Sequence, residues 1–398
     1  EAQYRPGCLR FCPYILKPIP MPEPFKNVYN KKIIQGMANH FQSHWSEFDN
    51  KGFYDAATKN LNSLELKARS EQITNAMIRY LPDDFAEAGG ILCKSLSPAL
   101  PGDIFGVTVD DKGIAGWAIM PITHYVGLQG LDHFTLSMTL LRELTKRFSS
   151  EFGIRFFLLA FPNKTLSVLK TWTNNSDRHV RRLVSEGTRP RLPWAMQLPD
   201  FIDNPMPVIK LLEALKDDEE EYVRRSVANN LNDIAKDHPD VVARIAEKWM
   251  KGASKDRIRL LRHACRTLLK NGHKKVLQVF GFATPKIHKA SIEIHTPEVV
   301  LGRVLEFTLS LASNFAHDQA LMIDYIIHHQ KAHGKTSAKV FKWRNKILAA
   351  NAMLISSKKH PIKKISTRVY YPGVHRVECM VNGISVAAAD FKLIIPCS

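Results

Sequence analysis

Two stretches of this chain repeat one unusual helix, DRHVRRLVSEG at residues 177–187 and EEYVRRSVANNLNDIAK at residues 220–236. Arg182 of the first stretch aligns with Arg225 of the second, 43 positions later, and a looser copy places Arg262 a further 37 positions along. A period of about 40 residues is typical of HEAT and armadillo repeats, in which each helix pair shares its core only with its neighbours. We therefore predict stacked helical repeats in this part of the chain.

Each copy combines an apolar face with a polar ridge. Val180 and Leu183 recur at helical spacing, whereas Arg182 and Glu186 lie four residues apart on another side of the helix. A single exposed pair at that spacing contributes only about 0.3–0.5 kcal/mol and is usually ordinary solvated surface. Because the ridge recurs in register and reaches Asp233 in the second copy, a continuous charged strip on the concave side is the competing interpretation.

The composition favours an anionic partner. The chain has 56 Lys and Arg against 38 Asp and Glu, a formal net charge of +18. Such an excess suits contact with a phosphate backbone that is independent of base sequence, although ribosomal or membrane-surface binding would require the same sign. The chain contains no run of about 18 apolar residues, the length needed to span a bilayer. We therefore expect a cytoplasmic protein that is not bound to membranes.

Several kinds of site are excluded by spacing. The six cysteines form no CxxC pair and have no Cys/His ligand spacing, so neither a zinc site nor a disulfide framework is expected. His328, His329 and His333 have no acidic or cysteine partner nearby in sequence and are predicted to face solvent. No P-loop, GxGxxG or GxSxG element stands at a strand-to-helix turn. We expect no metal and no cofactor.

The hydrophobic period divides the chain into parts. Stripes at helical spacing in residues 33–41 and 73–81 predict helices, and glycines and prolines in residues 89–106 predict a loop between helical layers. Helices are expected to resume near His133 and to continue to Phe280.

A change to alternating apolar and polar residues marks a second domain. Leu305, Phe307 and Leu309 alternate with polar residues, and Asn382-Gly383 is typical of a type I′ hairpin turn. Several short strands in about 110 residues favour a sandwich of immunoglobulin size. We predict a tail or start artefact at residues 1–24, a repeat domain at 25–282 and a sandwich at 283–398.

The predicted sandwich is rich in lysine and arginine. Lysines on edge strands commonly discourage edge-to-edge pairing, which would explain them without any ligand. The alternative is that they bind phosphate opposite the helical repeats, so that the two domains form a clamp. The residues concerned are Lys335, Lys339, Lys342, Arg344, Lys346, Lys358, Lys359, Lys363 and Lys364.

Four motifs together resemble a known family. HVRRLVSEGTRPRLPW, YVRRSVANNLNDIAKDHP, FSSEFGIR and LDHF closely resemble the AlkC family of bacterial DNA glycosylases, within the HEAT-like-repeat alkylation-repair superfamily. The similarity covers residues 25–282, and some family members also carry an immunoglobulin-like domain. The fold implied is a HEAT-like solenoid followed by a small all-β sandwich.

The resemblance implies hydrolysis of the N-glycosidic bond of small cationic lesions in double-stranded DNA, principally 3-methyladenine. Family members are thought to kink the DNA and to reach the lesion without flipping it, unlike most enzymes that act on a base. A cationic purine leaves without a general acid, so the enzyme has to stabilise an oxocarbenium-like sugar and position water, which carboxylates do. No lysine stands in a motif for Schiff-base chemistry, so we expect a monofunctional enzyme. We also expect the protein to be a monomer.

The family's motifs place the candidate site residues. Glu151, Glu186 and Asp233 are the expected acidic cluster, without an assignment of which one activates water. Trp194 is a candidate wall against the cationic base, where an aromatic face is favourable, although a tryptophan lies more often in a core. Arg182 is expected to hold a phosphate or a carboxylate. The predicted contacts to the DNA backbone are Arg178, Arg181, Arg189, Arg191, Arg224, Arg225, Arg262 and Arg266.

Two non-enzymatic alternatives share this fold. A HEAT scaffold would use its basic groove to hold nucleic acid or an acidic protein, with Glu186 and Asp233 occupied in arginine pairs. A lesion sensor would bind alkylated DNA and leave the bond intact. Carboxylates on a DNA-binding face favour an enzyme, because unpaired anions beside phosphate repel.

Overall fold

The computed structural model describes residues 24–396 except Leu100, Pro101, Asp103, Phe105 and Thr367. The predicted tail, apart from Pro24, lies outside the described residues. The α-helices are α1 Lys31–His44, α2 Asn50–Thr58, α3 Leu66–Tyr80, α4 Phe85–Lys94, α5 Ile119–Gln129, α6 Phe134–Thr145, α7 Ile154–Ala160, α8 Pro162–Trp172, α9 Arg178–Gly187, α10 Pro199–Asp203, α11 Met206–Leu215, α12 Glu221–Ile234, α13 Pro239–Met250, α14 Lys255–Ala264, α15 Arg266–Lys270 and α16 Lys274–Val279. The strands are β1 Lys289–Ile294, β2 Glu298–Val300, β3 Val304–Ala312, β4 Gln319–Gln330, β5 Thr336–Leu348, β6 Met353–Pro361, β7 Gly373–Val381 and β8 Ile384–Ile394.

The three copies of the repeated helix stack side by side. α9 packs against α12, α12 packs against α14, and α8, α11 and α13 lie behind this row. The stacking buries the predicted apolar faces, with Val180, Leu183, Val223 and Leu231 each 0% exposed. α9 begins where the Asp177 carboxylate accepts hydrogen bonds from the amides of the first turn. The prediction of stacked helical repeats is confirmed.

The loop predicted over residues 89–106 is wrong for its first third, because α4 continues to Lys94. Gly89 lies in this helix, and a Cβ there would sit 3.1 Å from Leu140 Cδ1 on α6. The glycine therefore allows two helices to approach closely and does not mark a break. Helices also resume earlier than predicted, at Ile119.

The second domain is a two-sheet sandwich. One sheet has the order β1-β3-β6 and the other β2-β8-β7-β4-β5, so that basic strands β5 and β6 are edge strands. Inward residues such as Phe307 and Ile323 form its core. Asn382 and Gly383 both have positive φ, 47° and 78°, as a type I′ turn requires. The strands predicted here by alternation are confirmed.

The prediction of solvent-facing histidines is wrong for His329, which is 2% exposed. Burial lowers the pKa of His329 to about 3, helped by the Arg368 charge, so this imidazole is neutral at neutral pH. His328 binds the Glu378 carboxylate at 2.7 Å, and the side chain of His333 lies outside the described part. No group of three or more described His, Cys, Asp or Glu residues could hold a metal ion.

The hairpin turn of the sandwich docks on the helical domain. The Asn382 amide fixes this turn within the sandwich by donating to the carbonyls of Ala283 and Ala320, at 2.7 and 3.0 Å. Next to it, Gly383 packs on the backbone of Gly272, the glycine that follows α15. This contact joins the two domains.

Gly272→Ala is expected to disturb this contact. Its Cβ would sit 2.8 Å from Gly383 Cα, and a left-handed alanine costs roughly 1–2 kcal/mol in addition. Gly252→Ala is the matched control, because Gly252 also follows a helix at φ +62° but its Cβ would meet nothing within 4 Å. Small-angle scattering should show a larger radius of gyration for Gly272→Ala only. Identical scattering profiles for the two variants would show that the contact does not fix the domain angle.

Candidate active site

A cavity of about 320 Å³ opens beside the row of repeat helices. α9 contributes Arg182 and Glu186, and the turn between α6 and α7 contributes Glu151. The loop after α9 contributes Arg189 and Trp194. We call this cavity, with these five residues, the cleft.

Glu186 is fixed by contacts to both repeat copies. Its carboxylate accepts hydrogen bonds from Arg189 Nη1 at 2.6 Å and from Ser226 Oγ of α12 at 2.6 Å, and Arg182 lies 3.6 Å away. Burial acts to raise the pKa of Glu186, but the charges of Arg182 and Arg189 outweigh it and hold the pKa below its usual value. The group is therefore a carboxylate at neutral pH and cannot serve as a proton donor there.

Asp233 lies behind this carboxylate. Arg189 Nε donates to one of its oxygens at 2.8 Å and Lys236 Nζ to the other at 2.8 Å. The Asp233 side chain is 3% exposed, and the residue does not line the cavity. Asp233 thus binds Arg189, which in turn binds Glu186.

Glu151 closes the other side of the cleft. It accepts hydrogen bonds from Arg182 Nη1 at 2.9 Å and from Ser149 Oγ at 2.6 Å. The guanidinium of Arg182 lies 5.1 Å from the centre of the Tyr222 ring, a cation–π arrangement. The structure thus brings Glu151, Arg182 and Glu186 together, as the sequence predicted.

The remaining lining of the cleft is largely apolar and aromatic. Trp194 is 61% exposed and stands at the rim with φ +67°, a strained conformation for a bulky residue. Trp172 and Trp249 are instead buried in the helical core. The other lining residues are Ile104, Trp117, Phe148, Ser149, Phe152, Leu192, Pro193 and Tyr222.

The predicted DNA-contacting arginines fall into two groups. Two are buried in ion pairs: Arg181 is 7% exposed and binds Asp218 through two nitrogens, at 2.7 and 3.0 Å, and Arg189 is 9% exposed between Glu186 and Asp233. Contact of these two with DNA stays a prediction. Both arginines are neutralised by carboxylates from further along the chain. Asp218 lies just before α12, and Asp233 lies in α12.

The other arginines remain reachable to different degrees. Arg225 and Arg262 are exposed, and Arg225 makes no ion pair with any described residue. Arg266 is partly exposed and donates to the carbonyl of His263. The rest are partly exposed but paired with carboxylates, namely Arg178 with Glu220, Arg191 with Asp237 and Arg224 with Asp256.

Sequence reasoning missed residues that support the cleft from behind. Ser226 was passed over because a small hydroxyl inside a helix is uninformative alone. Arg155, the second residue of α7, is 0% exposed, and burial lowers its pKa to about 10. It ends the motif FSSEFGIR but lies outside the repeat, so periodicity gave no signal for it.

Fold and cleft define a class: a HEAT-like repeat protein with an immunoglobulin-like domain and a cleft of ion-paired carboxylates under an aromatic rim. Residues 288–395 match a family model described as the C-terminal Ig-like domain of the uncharacterised protein YhaZ. The YhaZ protein of Bacillus subtilis (strain 168) is 34% identical over an alignment of 374 residues. The alignment covers 92% of this chain and 99% of that protein.

A solved structure is similar over nearly the whole chain. It is the Pseudomonas fluorescens alkylpurine DNA glycosylase AlkC bound to DNA containing an abasic site analog. The TM-score is 0.79 at 33% identity, covering 93% of this chain and 99% of that one. The chain belongs to the AlkC family, which confirms the resemblance carried by its motifs. No described helix is long and apolar enough to cross a membrane.

Proposed function

We propose that this protein is a DNA glycosylase that removes small cationic alkylated bases, principally 3-methyladenine, from double-stranded DNA. Membership of the AlkC family supports alkylated-base excision as the activity. The single observation that carries the proposal is the pair of carboxylates, Glu151 and Glu186, lining an aromatic cleft on the face of the stacked repeats. The protein is proposed to work as a monomer in the bacterial cytoplasm, without a cofactor.

The proposed reaction is hydrolysis. The C1′–N bond breaks, its electron pair passes to the departing base, and the positive charge of the base is thereby neutralised. The sugar develops oxocarbenium character, which a nearby carboxylate stabilises electrostatically. Water adds to C1′ and gives up a proton, for which Glu186 or Glu151 is the acceptor. No group has to protonate the leaving base, in keeping with an ionised Glu186.

The arginine pairs have a defined part in this proposal. In the free protein Arg182 and Arg189 keep Glu186 ionised although it is buried. When DNA enters, Arg182 is placed to exchange part of its contact with Glu151 for a phosphate, since its side chain is 18% exposed. Trp194 then stands against the lesion from the rim, where the base is proposed to remain unflipped.

Both carboxylates are occupied in arginine pairs, which is the arrangement expected of a non-enzymatic scaffold. That observation keeps a scaffold or lesion sensor as the second candidate. The experiment that separates them is incubation with methylated duplex DNA, with analysis of released bases and of the strand. We expect free 3-methyladenine and an abasic site, without a covalent adduct after borohydride treatment. Tight binding of lesion DNA without any release would establish a sensor instead.

The sandwich is proposed to act as the second half of a clamp on DNA. Lys339, Lys342 and Lys346 are exposed along β5, an edge strand of the larger sheet. Each phosphate contact accounts for about 0.9 in the slope of log affinity against log salt. Changing all three to glutamine should lower that slope by up to about 3.

A triple variant of lysines 51, 59 and 112 provides the control for this measurement. These residues are also exposed, but they lie in or near α2 and in the loop before α5. We expect the slope of log affinity against log salt for this control variant to equal that of the unmodified protein. Equal slopes for both triple variants would assign the β5 lysines to protection of the strand edge alone.

A further inference from the structure

The loop that carries Trp194 is organised by a buried arginine on another helix. Arg155 Nε donates to the carbonyl of Met196 at 2.7 Å, and Nη2 lies 3.4 Å from the carbonyl of Pro190. Nη1 donates to the carbonyls of Gly187 and Arg189, at 2.9 and 2.8 Å. All four acceptors fall within residues 187–196, the segment that leaves α9 and forms the rim of the cleft.

The arrangement is unusual because the guanidinium is buried without a carboxylate in its hydrogen-bonding shell. Arg155 is 0% exposed, and its hydrogen bonds to the described residues all go to main-chain carbonyls. Hydrogen bonds from a charged donor are about twice as strong as neutral ones. Arg155 directs four such bonds at one ten-residue segment, and these bonds hold the backbone of that segment in place.

The segment needs such support because of Trp194. Its φ of +67° is disfavoured for a residue with a large side chain, and such strain persists only where the surroundings determine it. Arg155 binds carbonyls on both sides of Trp194, at positions 190 and 196. Arg189, whose carbonyl is also bound, is the residue that joins Glu186 to Asp233.

We propose that Arg155 is a positioning residue for the cleft: it holds the 187–196 loop so that Trp194 stands over the lesion and Arg189 stays between the two carboxylates. Arg155 touches no cavity-lining side chain through these bonds and acts only through the loop. The inference rests on the proposed function for its catalytic consequence, but its structural part stands independently of it.

Arg155→Lys retains the charge and loses the forked geometry that reaches four carbonyls. Since losing even one charge-assisted hydrogen bond corresponds to roughly tenfold or more, single-turnover base release should fall at least about tenfold. The control is Arg69→Lys, because Arg69 is also buried, at 3% exposed, and donates to the carbonyls of Lys26, Tyr29 and Leu64, away from the cleft. This control should lose stability without losing rate.

Two further readouts separate positioning from general destabilisation. In a Trp194→Ala background, Arg155→Lys should reduce the rate by a smaller factor, because one of the two residues it positions is already gone. Native-state trypsin cleavage after Arg191 should increase about tenfold in Arg155→Lys and not in Arg69→Lys. The cleavage assay needs no activity, so it tests the loop claim even if the intact protein releases no base.

Opposite results would overturn the proposal. These are a wild-type rate and wild-type cleavage in folded Arg155→Lys, an equal loss of rate in Arg69→Lys, or an undiminished effect in the Trp194→Ala background. If Arg155→Lys does not fold, Trp194→Gly and Trp194→Ala provide the test. Glycine takes φ +67° freely, so Trp194→Gly should be the more stable of the two, and equal stability would show that residue 194 is not held in this conformation.

Discussion

Glu186→Gln is expected to lower the rate of base release about 10²–10³-fold, the loss typical of removing one group that stabilises charge in a transition state. Glutamine keeps the shape of the side chain and can still bond to Ser226, but it carries no negative charge toward the sugar. DNA affinity should be unchanged or higher, because an anion near the phosphates has been removed. Single-turnover base release and equilibrium binding, measured on the same methylated duplex, give both numbers.

Glu143→Gln is the control for this substitution. Glu143 is also a partly buried glutamate in arginine and lysine pairs, with Arg147 and Lys146, but it does not line the cleft. Glu151→Gln should resemble Glu186→Gln, whereas Asp233→Asn should have a smaller effect, since Asp233 acts through Arg189. Equal rates in Glu143→Gln and Glu186→Gln would remove Glu186 from the reaction.

Arg189→Met should lower the free energy of unfolding by about 3–5 kcal/mol, the cost typical of leaving a buried ionic partner uncompensated. The change strips one hydrogen bond each from Glu186 and Asp233, whose side chains are 6% and 3% exposed. Adding Glu186→Gln and Asp233→Asn to Arg189→Met should restore much of the loss, because no buried charge is then left without its partner. Urea unfolding at neutral pH measures each step.

Arg191→Met provides the matched comparison on the same loop. Arg191 binds Asp237 through two nitrogens, each at 2.8 Å, but this pair is about one-third exposed. Exposed pairs contribute only about 0–1 kcal/mol. If Arg189→Met proved no more costly than Arg191→Met, the buried pairs of Arg189 with Glu186 and Asp233 would not stabilise the fold more than an exposed pair does.

The sequence allowed the repeat architecture to be predicted because its signal is local. Apolar spacing within 177–187 and 220–236 determines which helix face is buried, and recurrence determines that the helices stack. Gly89 shows where local reasoning fails: it lies inside α4 where α6 approaches closely, and that approach could not be seen in the sequence. His329 was misjudged for a similar reason, since its burial depends on distant strands.

The sequence allowed the residues of the candidate site to be predicted, but not the hydrogen bonds and ion pairs that connect them. Arg182, Glu186 and Asp233 stood out by recurrence, and Glu151 by its family motif. That Arg189 bridges Glu186 and Asp233 depends on the loop after α9 turning back toward α12, a course set largely by Arg155 from α7. Such a contact joins residues 44 positions apart, and no periodicity reports it.

The decisive measurement is single-turnover base release from two duplexes that differ in one purine, which is cationic 3-methyladenine in one and neutral hypoxanthine in the other. Glu186, the buried carboxylate of the cleft, is ionised and cannot protonate a neutral leaving base. We therefore expect release of 3-methyladenine and no release of hypoxanthine above background. Comparable release of both bases, or of hypoxanthine alone, would contradict a site built for leaving groups that already carry positive charge.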